Sequence, residues 1–173
     1  EGGLVRNEQG ALIENTGPVT SASDDADAGA AIGASGTDIT VENNGLIRGN
    51  IELLFGSQTV QLLEAGRIEG IVNADTLGID EFATDPVEDH LKVTSGAGSR
   101  DLDGDGFVAF DRFTKDGSGT ENLSGTLDLG ENGQARIEAG ELALNDGAVL
   151  ADSLLVSSGA SLTGAPAGSC GGR

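Results

Sequence analysis

Apolar side chains recur at alternate positions along this chain in short bursts, and most bursts end at a glycine. Ile39-Thr-Val41 and Val60-Gln-Leu62 send their aliphatic residues to one face at period two, the signature of a half-buried strand. Ile51-Glu-Leu53-Leu54-Phe55 reads as a further strand of the same coil. The bursts themselves repeat. Ile39-Thr-Val41-Glu-Asn-Asn-Gly45-Leu-Ile47-Arg-Gly49 returns as Val60-Gln-Leu62-Leu-Glu-Ala-Gly66-Arg-Ile68-Glu-Gly70, each position displaced by 21. A period of that size suits one coil of a solenoid and is too short for a domain. A lone coil cannot bury its inward side chains, so neighbouring coils must stack. The expected fold is therefore all-β, a β-solenoid of parallel strands. Ile47, Val60, Leu62, Ile68 and Ile137 should face inward, with Gly45 above Gly66 in adjacent layers.

The rest of the chain divides around this repeat. Gly3-Leu-Val5 to Ala11-Leu-Ile13 looks like an irregular first coil turning at Gly10, and Pro18 to Gly36 reads as a solvated loop. Periodicity lapses from Leu77, through the acidic stretch around Pro86 and His90, to Arg100, with only Leu91-Lys-Val93 strand-like within it. A loop projecting from the tube is expected over 77–106, because solenoids tolerate insertions at corners. The coil pattern resumes in Ala135-Arg-Ile137, Leu142-Ala-Leu144 and Leu154-Leu-Val156, before a flexible tail at 164–173. The whole chain, 1–173, reads as one such segment.

Composition narrows the picture. Hydrophobic residues make up 37% of the chain but aromatics only 3%, so aliphatic rows must fill the core. Net charge is −20, which disfavours nucleic acid and anionic membrane surfaces as partners. No apolar run approaches the ~20 residues of a membrane-spanning helix. The chain opens at Glu1-Gly-Gly without a basic, apolar leader, so any signal peptide is expected to have been removed. The one cysteine, Cys170, has no internal partner and could only link two chains; otherwise a monomer is expected.

One segment carries a family likeness. Phe110-Asp-Arg-Phe113-Thr-Lys115-Asp-Gly117-Ser-Gly119-Thr, followed by Leu123-Ser-Gly125 and Leu127, resembles the recurrent passenger motif of Gram-negative autotransporters. There a phenylalanine-containing strand and a K-x-G-x-G-T turn lead into an L-x-G strand. Where the family often has an aromatic or aliphatic residue after that turn, this chain has Glu121-Asn122. The resemblance spans about Thr37 to Thr163 and is tightest over Phe107 to Leu129. It implies a right-handed, single-stranded parallel β-helix passenger segment, exported through the periplasm to the outer-membrane surface or beyond. It implies no single activity, because passengers include adhesins, proteases and esterases.

Candidate chemistry is sparse. Asp101-Leu-Asp103-Gly-Asp105-Gly106 resembles the opening of a calcium loop, in which alternate carboxylates converge on the ion. The twelfth position, where a completing carboxylate belongs, is Arg112, so Asp101, Asp103 and Asp105 are weak calcium candidates and no other cofactor is expected. His90 is the only histidine and no Gly-x-Ser-x-Gly elbow accompanies it, so no catalytic residues are assigned. Adjacent coils at offset 21 pair Glu52 with Asn73 and Glu42 with Leu63, giving no carboxylate pair, while Arg48 and Glu69 should form a cross-coil ion pair. The reading that follows is a rigid structural or adhesive scaffold without catalysis, whose partner is a host or neighbouring-cell surface protein or glycan. The alternatives are a polysaccharide-processing β-helix enzyme, or a stem holding an absent functional domain.

Overall fold

The computed structural model describes residues 2–15, 30–35, 38–74 and 88–164. All of its strands pair in parallel, and they wind into a β-solenoid of about six turns. One sheet runs its full length, formed by the first strand of each coil. These are β1 (Gly3–Asn7), β4 (Ile39–Asn43), β7 (Thr59–Leu62), β10 (His90–Thr94), β13 (Arg112–Asp116), β15 (Gln134–Ile137) and β17 (Ser153–Val156), hydrogen-bonded in that order.

The strand after the first corner forms a second side. In the first three coils it is β2 (Leu12–Glu14), β5 (Leu46–Arg48) and β8 (Arg67–Glu69). In the last four it is β11 (Ser99–Asp103), β14 (Thr120–Asp128), β16 (Glu141–Leu150) and β18 (Ser161–Gly164). These make two separate sheets, since among the described residues no ladder joins β8 to β11. The third side holds β3 (Ala30–Ser35), β6 (Asn50–Leu54), β9 (Val72–Asn73) and β12 (Phe107–Val108).

The core is a set of rows running along the axis. Val41, Val60, Leu91, Phe113 and Ala135 stack in register through the long sheet, and all are buried. Alternation explains this, because consecutive strand residues point to opposite faces. Each fully buried aliphatic contributes about 1.5–3 kcal/mol. Ile47, Val60, Leu62 and Ile137 face inward as expected, and Ile68 is half-buried. Gly45 and Gly66 do lie in adjacent layers, with the Arg67 amide donating to the Gly45 carbonyl at 2.9 Å. A side chain at Gly66 would overlap the Asn43 carbonyl, so this corner has no room for a Cβ.

Four expectations are corrected. The offset of 21 holds on the second side, where Ile47 faces Ile68, but on the long sheet Val41 pairs with Val60 and Asn43 with Leu62, an offset of 19. The difference is taken up at the corner, where three residues separate Leu62 from Gly66 and only Asn44 separates Asn43 from Gly45. Residues 30–35 form β3 rather than loop. Residues 90–103 are strands β10 and β11 of a regular coil, so the projecting loop expected over 77–106 does not extend across them. His90, expected in a surface loop, is half-buried on β10. Residues 16–29, 75–87 and 165–173, including Cys170 and all but the first residue of the expected tail, lie outside the described residues.

Candidate functional site

The family-like motif builds a polar knot inside the tube. Lys115 occupies an inward row, between Val93 and Ile137 in register, and its side chain is fully buried. Its Nζ donates to three carbonyls, Gly117 at 2.8 Å, Gly119 at 2.7 Å and Ala139 at 2.9 Å, which uses all three ammonium protons. The glycines of the motif follow from that cage. Gly117 has a φ of 80°, which suits a residue without a side chain, and a Cβ on Gly119 would overlap the Gly96 carbonyl. Burial pushes the Lys115 pKa below the ordinary lysine range, while Glu121 and Asp116 pull the other way.

Glu121 is the counter-charge that sequence reading treated as a mere departure from the motif. It is fully buried, accepts Ser95 Oγ at 2.6 Å, and pairs with Arg100 Nη2 at 2.7 Å. Arg100 also reaches back to coil three, where its Nη1 donates to the Leu63 carbonyl at 2.7 Å and the Gly66 carbonyl at 3.0 Å. The result ties coils three, four, five and six together through side chains. An earlier polar pair does similar work between the first coils, where buried Asn7 donates to buried Asn43 at 2.8 Å. Asn43 Nδ2 in turn donates to the Arg67 carbonyl at 3.0 Å, and Asn44 Oδ1 accepts from the Ala65 amide, so both corner asparagines bridge coils.

Asp101, Asp103 and Asp105 are brought to one corner but used separately. Asp101 and Asp103 lie two apart on β11, both exposed, a spacing of roughly 6.6 Å along an extended strand rather than around a loop. Asp101 accepts from Asn122, Asp103 caps a single 3₁₀ turn at Gly104–Gly106, and Asp105 accepts the Thr126 amide at 2.7 Å. Asp103 and Asp105 converge against Gly125, while Asp101 stays with Asn122. Among the described residues, no group of three or more His, Cys, Asp or Glu side chains is arranged to hold a metal ion.

Other titratable groups sit on the outer faces. His90 Nε2 lies 2.8 Å from Thr114 Oγ1, and burial, aided by Lys92 and Arg112, pulls its pKa down to about 4. The expected Arg48–Glu69 bridge is present at 3.0 Å, and Arg48 also bonds Glu14 at 2.7 Å, so one guanidinium joins three coils. Glu42 faces Gln61 rather than Leu63, and Glu52 faces Asn73, so no acid pair forms at either place. One Glu52 oxygen is buried without a hydrogen-bond partner among the described residues, and burial raises the Glu52 pKa. Periodicity carried no signal for this group, because an outward glutamate reads as solvated.

Among the described residues, two of the surface clefts are the most voluminous of those that bear on function. The larger, about 740 Å³, has an apolar floor of Phe55, Phe107 and Phe110 with Asp89, Asp111 and Asp128 among its walls. Phe107 and Phe110 meet edge to face at 6.2 Å. The second, about 530 Å³, lies where the second side is interrupted, between β8 and β11. No family model, curated protein or solved structure matches the chain. Among the described residues no helix is long and apolar enough to cross a membrane.

Proposed function

We propose that the chain is a rigid, non-catalytic scaffold of the autotransporter-passenger type, displayed at a Gram-negative cell surface and presenting adhesive contacts to a protein or glycan. One observation carries this reading. The segment with the strongest family likeness, Phe107 to Leu129, contains the Lys115 cage that locks successive coils, so the motif serves rigidity. Stacked parallel coils give length without a second core, the property a spacer or display surface needs.

The test joins display to binding. The chain is placed between an export signal and an outer-membrane translocator barrel in a Gram-negative host. The expected outcome is a folded, protease-resistant segment on intact cells, and beads coated with the purified chain should hold to cell-surface proteins or glycans. Retention and degradation in the periplasm would remove the passenger assignment. Shortening of a soluble polysaccharide by the purified chain would replace the scaffold with the glycan-processing alternative.

A further inference from the structure

At four of the five other steps along the second side, the amide that opens the strand donates to a glycine carbonyl at the corner of the coil before. Arg67 gives to Gly45, Thr120 to Gly98, Glu141 to Gly119 and Ser161 to Gly140, at 2.8–3.1 Å, and at the remaining step Leu46 gives to Ala11 at 2.9 Å. Between coils three and four this bond is replaced. The Gly66 carbonyl is taken by the Arg100 guanidinium, and β8 and β11 part around the 530 Å³ cleft.

The parting leaves two strand edges facing one another. Arg67 donates to Gly45 and Glu69 accepts from Gly49, so those residues turn their backbone toward coil two and Ile68 turns its own into the cleft. The Gly98 carbonyl accepts from Thr120, so by the same alternation Ser99, Asp101 and Asp103 turn their amides and carbonyls into the cleft from the other side. Edges of this kind are templates for an added strand. The cleft floor includes Ile68 and Leu102, an apolar strip for alternate side chains of such a strand.

Charge selects the occupant. Glu64, Asp101 and Asp103 give the cleft its acidic rim, because Arg100 is neutralised by Glu121, and Glu69 by Arg48 and Arg67. The chain's own segments 16–29 and 75–87 contain no Lys or Arg, and 165–173 has only Arg173, so an acidic rim disfavours them. We propose that the gap between β8 and β11 is an acceptor site for an extended segment of a partner protein. That segment alternates basic and apolar residues, is about four to six residues long, and pairs with both edges at once. This site does not depend on where the chain is displayed.

The probe is the synthetic peptide acetyl-Lys-Val-Lys-Val-Lys-Val-amide, titrated calorimetrically into the full chain. Its control replaces the central valine by proline, which keeps the charge and cannot pair. The expected result is saturable binding of the first peptide, at least tenfold weaker binding of the second, and new hydrogen-exchange protection at the Ile68 and Asp101 amides. The double variant Glu64→Lys/Asp101→Lys, checked for folding by circular dichroism, should weaken binding at least tenfold. Equal binding of the two peptides would overturn the proposal. So would protection confined to other amides, an unchanged affinity in the double variant, or Ile68 and Asp101 amides already protected without peptide.

Discussion

Replacing Lys115 by methionine tests whether the buried ammonium holds coils five and six together. Methionine keeps a stem of similar length and removes the charge, leaving the Gly117, Gly119 and Ala139 carbonyls without their donor. Each such loss costs about 1–3 kcal/mol, and Glu121 also loses a nearby positive charge. Relaxation and entry of water recover part of this, so a total of about 3–5 kcal/mol is expected, in line with one-sided disruption of buried ionic networks. At ~2–4 °C per kcal/mol for a chain of this size, melting should fall by ~10 °C. Because coils open locally, hydrogen exchange at the Thr120 and Glu141 amides should accelerate before that of Val60 or Leu91. A second variant, Glu121→Gln, and the pair together complete a double-mutant cycle, in which a coupling of about 1 kcal/mol is expected. Melting of Lys115→Met within a degree or two of the parent, or above it, would refute the claim that the cage stabilises the corner.

Leu62 sits between Asn43 and Val93 in an inward row and is 3% exposed, so Leu62→Asp buries an unpaired charge and should unfold several coils; unchanged circular dichroism and melting would contradict the register. His90 has a folded pKa of about 4 against 6.5, so its contribution is complete above pH 6.5 and is lost as pH falls toward 4. The side chain is half exposed and solvent screens it, so the loss is roughly 1 kcal/mol, and His90→Gln should flatten that part of a pH–stability curve. Truncation at residue 130 removes β15 to β18 and bares the edges of β13 and β14, so aggregation is expected by light scattering, and a soluble monomeric fragment would show those coils are not needed as a cover.

Alternation made the fold class legible, since inward rows can be counted from the chain alone. It could not fix the register of the long sheet. Pairing Val41 with Val60 or with Leu62 puts the same kind of side chain inward, because a slip of two preserves parity. Only the corner length separates the two, and Leu63-Glu-Ala65 carries no mark that it bulges. The coil from His90 to Asp103 was only half legible, through the alternation of Leu91-Lys-Val93, for a related reason. Its second strand, Ser99–Asp103, places Arg100 inward beside Leu102, so the pattern reads as polar until Glu121 is seen to receive the charge. Lys115 was visible as part of a motif, but its interior position follows only from three-dimensional closure of the turn.

The interruption between β8 and β11 also has a mechanical meaning. A beam is as stiff as its least-braced section, and among the described residues one wall of a three-walled tube lacks a backbone ladder here, while four paired residues of β7 and β10 and two of β9 and β12 hold the others. Flexure should therefore concentrate at this level, opening toward the unlaced wall. The Arg100 side chain, through the Leu63 and Gly66 carbonyls, is the brace across that wall, and its loss would leave two stiff rods meeting at an elbow.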